Sequence, residues 1–288
     1  MTSGRVWLER LSEHDLAFLA TAAGGYRTAA EGVAHLRSEP ARIEELVGRS
    51  EVFDALFAPW AELPFAQASP FLVFSVLLAG TARELESAPF VREWIGPSRR
   101  LPVFDTGSLR AFLDDPLRRI LLADVLASFT SVVSGVVWVR GRRGWTKRRF
   151  NELDPGRLVA LLDVVPDAER PIVYRRLGDL ALFLSGVFPD FVAERLGGPV
   201  QVERLERALA ASPGLGGDAP DEPPGAIGLL ERLGRGSYRA ALAGLPEPHP
   251  DLVRALEALT DRFSEARRVL NVLTDRHLYP VRGDWFPA

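Results

Sequence analysis

Apolar residues recur every three to four positions along most of the chain, the period of a helix with one buried face. Leu8, Leu11, Phe18 and Leu19 fall near one face of a helix that Gly24-Gly25 ends. A second helix is predicted over 28–36. Ser38-Glu39-Pro40 opens a third, in which Ile43, Leu46 and Val47 are apolar and Glu44 and Glu45 polar. Ser69-Pro70 has the chemistry of a helix start, with proline in the first turn where its missing N–H costs least. The helix that follows is apolar on all sides to Ala79 and amphipathic from Arg83, so its first half is expected in a core. Residues 97–105 are a connector by composition. One helix is predicted from Ser108 to Phe129, polar early at Arg110, Asp114 and Asp115 and apolar later.

The period then changes. Residues 132–140 are β-branched and aromatic, Gly141-Arg142-Arg143-Gly144 has turn chemistry, and 145–150 reads as a returning strand. Helices resume at Asp154-Pro155, an N-cap followed by proline. A helical stretch over 173–196 is expected to bend near Gly186 and Pro189, and a shorter helix covers 202–211. Residues 212–225 (SPGLGGDAPDEPPG) form a linker in which nothing is expected to pack. Beyond it, Gly234 and Gly236 are expected to break 227–243 into short helices. Leu252, Leu256, Leu259, Phe263, Ala266, Leu270, Leu273 and His277 then alternate in steps of four and three, a heptad seam on one long helix. The aromatic tail around Trp285-Phe286 is expected to dock back on the body.

This pattern predicts an all-α, multi-helix bundle with a single β-hairpin at about 132–150. The expected organisation is a helical body over 1–211, a flexible linker over 212–226, and C-terminal helices over 227–288 packed on the body. The heptad helix reads best as part of that bundle, with homo-oligomerisation through it as the alternative. Leu63 to Ala82 carries no charge, but Pro64 and Pro70 leave about a dozen helical residues, too few for a ~30 Å hydrocarbon layer. Membrane insertion is not expected.

Composition narrows the chemistry. The chain has 288 residues, a formal charge of −3 and no cysteine, which excludes disulfides, thiolate metal sites and cysteine nucleophiles. The mild acidity argues against binding nucleic acid with the whole surface and leaves room for a local patch. The N-terminal residues lack the charged-then-apolar order of a secretory signal, so a cytoplasmic protein is expected. Lys147 is the only lysine. That skew, with abundant Ala, Leu, Gly and Pro, is what GC-rich bacterial codon usage gives, and it lowers the weight of any one arginine cluster.

Even so, the hairpin stands out. Arg140, Arg142, Arg143, Lys147, Arg148 and Arg149 carry its positive charge, Trp138 and Trp145 are interleaved, and no acid lies among them. A basic hairpin after a helix resembles the wing of a winged-helix module, whose arginines contact phosphates. The same residues could hold RNA, with tryptophan stacked on a base, or meet the acidic face of a partner protein. Against the winged-helix reading, the preceding helix is apolar along most of its second half and offers few side chains for base edges.

A second cluster is polar and set among apolar runs. Arg175 and Arg176 precede Asp179 by four and three residues, which places acid and base on one helix face. A buried ion pair is the simpler reading, and an enzyme site joining them to Asp124 is the sharper one. No nucleophile elbow, phosphate loop or His-Glu-x-x-His pair occurs, and neither Glu31/His35 nor His277 completes a metal set. No cofactor or metal is expected. The chain therefore reads as a non-catalytic interaction or regulatory protein, contacting a partner protein or nucleic acid through the hairpin. The alternatives are a nucleic-acid-binding protein of winged-helix type and an enzyme built on Asp124, Asp179 and Arg175.

Overall fold

Two helices that are apolar on nearly every side organise the chain, one in each of two compact units. The computed structural model describes residues 3–57, 64–131, 134–141, 144–151, 153–162, 165–211, 215, 225–245 and 250–286, with backbone alone over the strands of 134–151 and at positions 157, 208, 211, 251, 252, 282 and 283. The units interleave in sequence. One holds Met1–Phe90 and Phe104–Thr130, the other Val91–Val103 and Ser131–Ala288.

The first unit contains α1 (Ser3–Arg10), α2 (Glu13–Ala22), α3 (Ala29–Ser38), α4 (Ala41–Val47), α5 (Ser50–Phe57), α6 (Pro64–Gln67), α7 (Pro70–Ser87), α8 (Thr106–Leu113) and α9 (Pro116–Ser128). Ser69 caps α7, its hydroxyl accepting from the Leu72 amide, and every residue from Phe71 to Leu78 is buried. Helices α4, α5, α8 and α9 pack around it. Two expected single helices are each broken, both by caps. Ser12 and Asp15 form a reciprocal capping box that starts α2 afresh. Asp115 accepts from the Leu117 amide at 2.9 Å, with Pro116 at the first position of α9. Asp15 is fully buried and also accepts from the Ser69 amide at 2.7 Å, so one carboxylate joins the starts of α2 and α7.

The second unit contains the strands β1 (Val91–Gly96), β2 (Arg99–Val103), β3 (Ser134–Gly141) and β4 (Gly144–Asn151). Its helices are α10 (Pro155–Leu161), α11 (Arg170–Val187), α12 (Pro189–Phe191), α13 (Pro199–Ala211), α14 (Ala226–Gly244), α15 (Pro250–Asp261), α16 (Phe263–Leu273) and α17 (Arg282–Trp285). Leu177 to Val187 of α11 are all buried, and α14 and α16 pack along them. The fold is all-α, with the hairpin β3–β4 where the pattern places it. Beside it stands a second, shorter antiparallel ribbon, β1–β2, in the stretch read as a connector. Its reversal at Pro97-Ser98 uses a positive φ of 55° at Ser98, which nothing in the residue type announces.

The C-terminal part differs from expectation in three ways. Helix α14 runs unbroken through Gly234 and Gly236, because both glycines serve packing. A Cβ on Gly234 would lie 2.3 Å from the Phe263 ring, and one on Gly236 would meet the Leu215 backbone. Leu215, inside the expected linker, is itself fully buried. The rest of 212–224 lies outside the described residues. The heptad helix is two helices, interrupted at Arg262 (φ −117°, ψ 39°), and a π-helical turn follows at Thr274–Leu278. Leu256, Leu259, Phe263, Ala266, Leu270 and Leu273 are all fully buried in this chain's own core. These six seam positions are therefore not available to a second copy, while His277 is half-buried. The boundary expected at 211 instead falls at 130/131, so 131–211 belong with the C-terminal helices. The tail docks, with Phe286 edge-on to Phe183 at 5.0 Å. No helix among the described residues is long and apolar enough to cross a membrane.

Candidate functional site

Val136, Val137, Trp138 and Val139 on one side, with Trp145, Thr146 and Phe150 on the other, have the branched and aromatic shapes that suit a pleated ribbon. Pairing is continuous from Ser134↔Asn151 to Gly141↔Gly144, with no bulge. Two side-by-side strands that pair without slippage have strictly alternating faces. Pairs Val136↔Arg149, Trp138↔Lys147 and Arg140↔Trp145 therefore share one face. Pairs Val137↔Arg148 and Val139↔Thr146 share the other. Five of the residues singled out in sequence (Arg140, Trp145, Lys147, Arg148, Arg149) stand at defined register positions, four of them on one face. Arg142 and Arg143 lie outside the described residues.

Strand β4 leads into α10, which packs against it. The helix before the ribbon in sequence is α9, and only Ser128 in it is exposed. Arg118 donates to the Ala111 carbonyl, and Arg119 pairs with Glu44 and the Leu113 carbonyl. A helix whose surface is consumed in this way cannot read base edges, so the wing analogy lacks its recognition helix.

The second cluster resolves into satisfied pairs. Asp179 is 7% exposed and accepts from the Tyr238 hydroxyl at 2.9 Å, with Arg175 Nε 3.8 Å away. Burial, then the Asp179 charge and the hydrogen bond to it, pushes the Tyr238 phenol well above its ordinary value of 10.0, so it remains a donor. Arg176 is half-buried on the same helix. Asp124 belongs to the first unit, where Arg10 grips it with two contacts of 3.1 Å. The buried ion-pair reading fits Asp179; Asp124, expected to be buried with it, is instead half-exposed in a surface pair with Arg10. No group of acidic residues and histidines able to hold a metal ion occurs among the described residues.

Two networks escaped sequence reasoning. Glu231 is fully buried and accepts from Arg267 Nε at 2.5 Å and Ser264 Oγ at 2.8 Å. Arg267 also donates to Asn271, which donates to the Ser185 and Gly186 carbonyls at 3.2 and 2.6 Å. The second network anchors β1–β2. Asp190 accepts from Trp94 Nε1 at 2.7 Å and the Ser98 amide at 3.0 Å, Arg100 binds Asp275 at 2.8 Å, and Arg268 pairs with Glu93. Both networks are saturated internally and read as scaffolding. A shallow groove of about 550 Å³ between α2 and α3 is lined by Ala17, Ala30, Val33 and Ala34, and a pocket of about 80 Å³ lies beside Asp154 and Arg204. Neither includes Asp124 or Asp179.

Comparison of the chain with protein-family models, curated proteins and solved structures finds no match.

Proposed function

We propose that this is a non-catalytic, cytoplasmic nucleic-acid-binding protein whose β3–β4 ribbon contacts phosphates. One observation carries the reading. The register gathers Arg140, Lys147 and Arg149 with both tryptophans onto one face of a ribbon that contains no acid. Cations placed in this way release counterions when they meet a phosphate chain, and the affinity then falls steeply with salt.

Anisotropy of labelled oligonucleotides at low and moderate salt tests the proposal. The comparison is with a variant in which Arg140, Lys147 and Arg149 are serine. Binding that weakens with salt and disappears in the variant supports the reading, and a wild type that binds no oligonucleotide ends it. A second reading, contact with an acidic partner protein, is favoured by Arg148. Its position falls on the face opposite Lys147 and Arg149, so the charge is not confined to one side.

A further inference from the structure

Resting on the nucleic-acid reading above, we infer that the ribbon takes single-stranded rather than duplex nucleic acid, with bases stacked on Trp138 and Trp145 and the neighbouring phosphates held by Arg140, Lys147 and Arg149. The shared face is a grid of three cross-strand rows, Val136↔Arg149, Trp138↔Lys147 and Arg140↔Trp145. Successive rows on one face are two residues apart, about 6.8 Å along the strand. Each tryptophan therefore stands directly across from a cation, and the two tryptophans are diagonal neighbours, about 7–8 Å apart and within reach of long side chains.

An aromatic platform can use only a base whose face is free. In a duplex both faces of every internal base are covered by its stacking neighbours, so tryptophan there has nothing to stack on without unstacking a step. A single strand offers free base faces and a backbone able to extend from one row to the next. Ring and cation alternate in the two rows Trp138↔Lys147 and Arg140↔Trp145, with Arg149 one row further on, and this suits a ligand in which every base has a phosphate beside it. A face built only to hold duplex phosphates needs the cations and gains nothing from the rings. Helix α9, which precedes the ribbon in sequence, is spent on the core of the first unit and does not serve as its groove-reading partner.

The competing use of the same grid is internal: Trp138 with Lys147 and Trp145 with Arg140 as cross-strand cation–π pairs that only stiffen the ribbon. The full-length protein distinguishes the two. Three labelled probes of equal length are titrated by anisotropy: an oligothymidylate, an abasic strand with the same phosphates, and a duplex. The titrations are repeated with Trp138→Ala/Trp145→Ala and with Trp138→Phe/Trp145→Phe, each checked for native circular dichroism. Stacking predicts that the oligothymidylate binds roughly tenfold or more tighter than the abasic strand. It also predicts that the alanine variant loses that ratio while keeping its salt dependence, and that the phenylalanine variant keeps part of it. Equal binding of thymidylate and abasic strands, or tighter binding of duplex, overturns the inference and leaves phosphate contact standing. Failure of all three probes to bind overturns both.

Discussion

Arg267 of α16 donates to Glu231 of α14 at 2.5 Å, in a place where Glu231 is wholly out of water. Ser264 and Asn271 bond to the same groups, Arg235 lies 3.7 Å from the Glu231 carboxylate, and the network ties α14 and α16 to the end of α11. Removing one partner leaves an uncompensated charge in the core. Glu231→Ala is expected to cost about 3–5 kcal/mol, whereas the double change Glu231→Leu/Arg267→Met should cost far less. Urea unfolding followed by circular dichroism gives both values. Equal losses in the single and double variants would show that the charge pairing is not what matters.

The β1–β2 ribbon should let go in acid. Burial alone would raise the Asp190 carboxyl, but hydrogen bonds from the Trp94 indole and the Ser98 amide, with the Arg100 charge beside it, hold it below its ordinary 3.8. A carboxyl depressed in the folded state contributes stability that is present above its unfolded pKa and is lost as pH falls through the folded value. The anchor is therefore complete at neutral pH and weakens below about pH 4. Amide exchange in 91–103 should accelerate over that range, and in Asp190→Asn the ribbon should exchange faster at neutral pH with a flatter response to acid.

Glycines in helices separate packing from propensity. A Cβ on Gly178 would lie 2.5 Å from the Tyr238 ring, and one on Gly234 would lie 2.3 Å from Phe263, whereas Gly107 in α8 has nothing within 4 Å. Alanine improves helix propensity by about 1 kcal/mol at an unobstructed site, but overpacking costs about 1–3 kcal/mol. Gly107→Ala should raise the thermal midpoint, and Gly178→Ala and Gly234→Ala should lower it.

Tyr238 keeps its proton far into the alkaline range, since the tyrosinate would be buried beside Asp179. Spectrophotometric titration at 295 nm of the wild type against Tyr238→Phe should show that the ionisation missing from the variant falls well above the ordinary tyrosine range. Tyr238→Phe leaves Asp179 short of a donor and is expected to cost about 1–3 kcal/mol.

How much of this was legible depends on how far apart the cooperating residues lie. The buried run of α7 was plain, because apolar residues on both sides of Ser75 from Phe71 to Ala79 leave no polar face. So was the β3–β4 hairpin, from its change of period. The Arg175–Asp179 pair follows from a spacing of four, but its third member, Tyr238, comes 59 residues later. Helix breaks at Ser12, Asp115 and Arg262 were missed because apolar periodicity continues across them while the caps are made by one or two polar atoms. The β1–β2 ribbon was missed for a stronger reason. Its strands are rich in charge, and the groups that satisfy those charges, Asp190, Asp275 and Arg268, are 90 or more residues away in the chain. The division into units was hidden for the same reason, because 91–103 leaves the sequence of one unit to join the other.

If nucleic acid is bound at the β3–β4 ribbon, Lys147 is the residue that senses it. It is the chain's only lysine, it stands on β4 directly across from Trp138, and its ε-amine can be acylated without touching any arginine. Arg5→Lys, on the exposed face of α1, supplies a reference amine in the same molecule. Amine-reactive labelling with and without a saturating oligothymidylate is then read by mass spectrometry. The account predicts that Lys147 is protected several-fold while the amine at position 5 labels at an unchanged rate. If the oligonucleotide binds and Lys147 labels as fast as before, the contact lies elsewhere and the account is wrong.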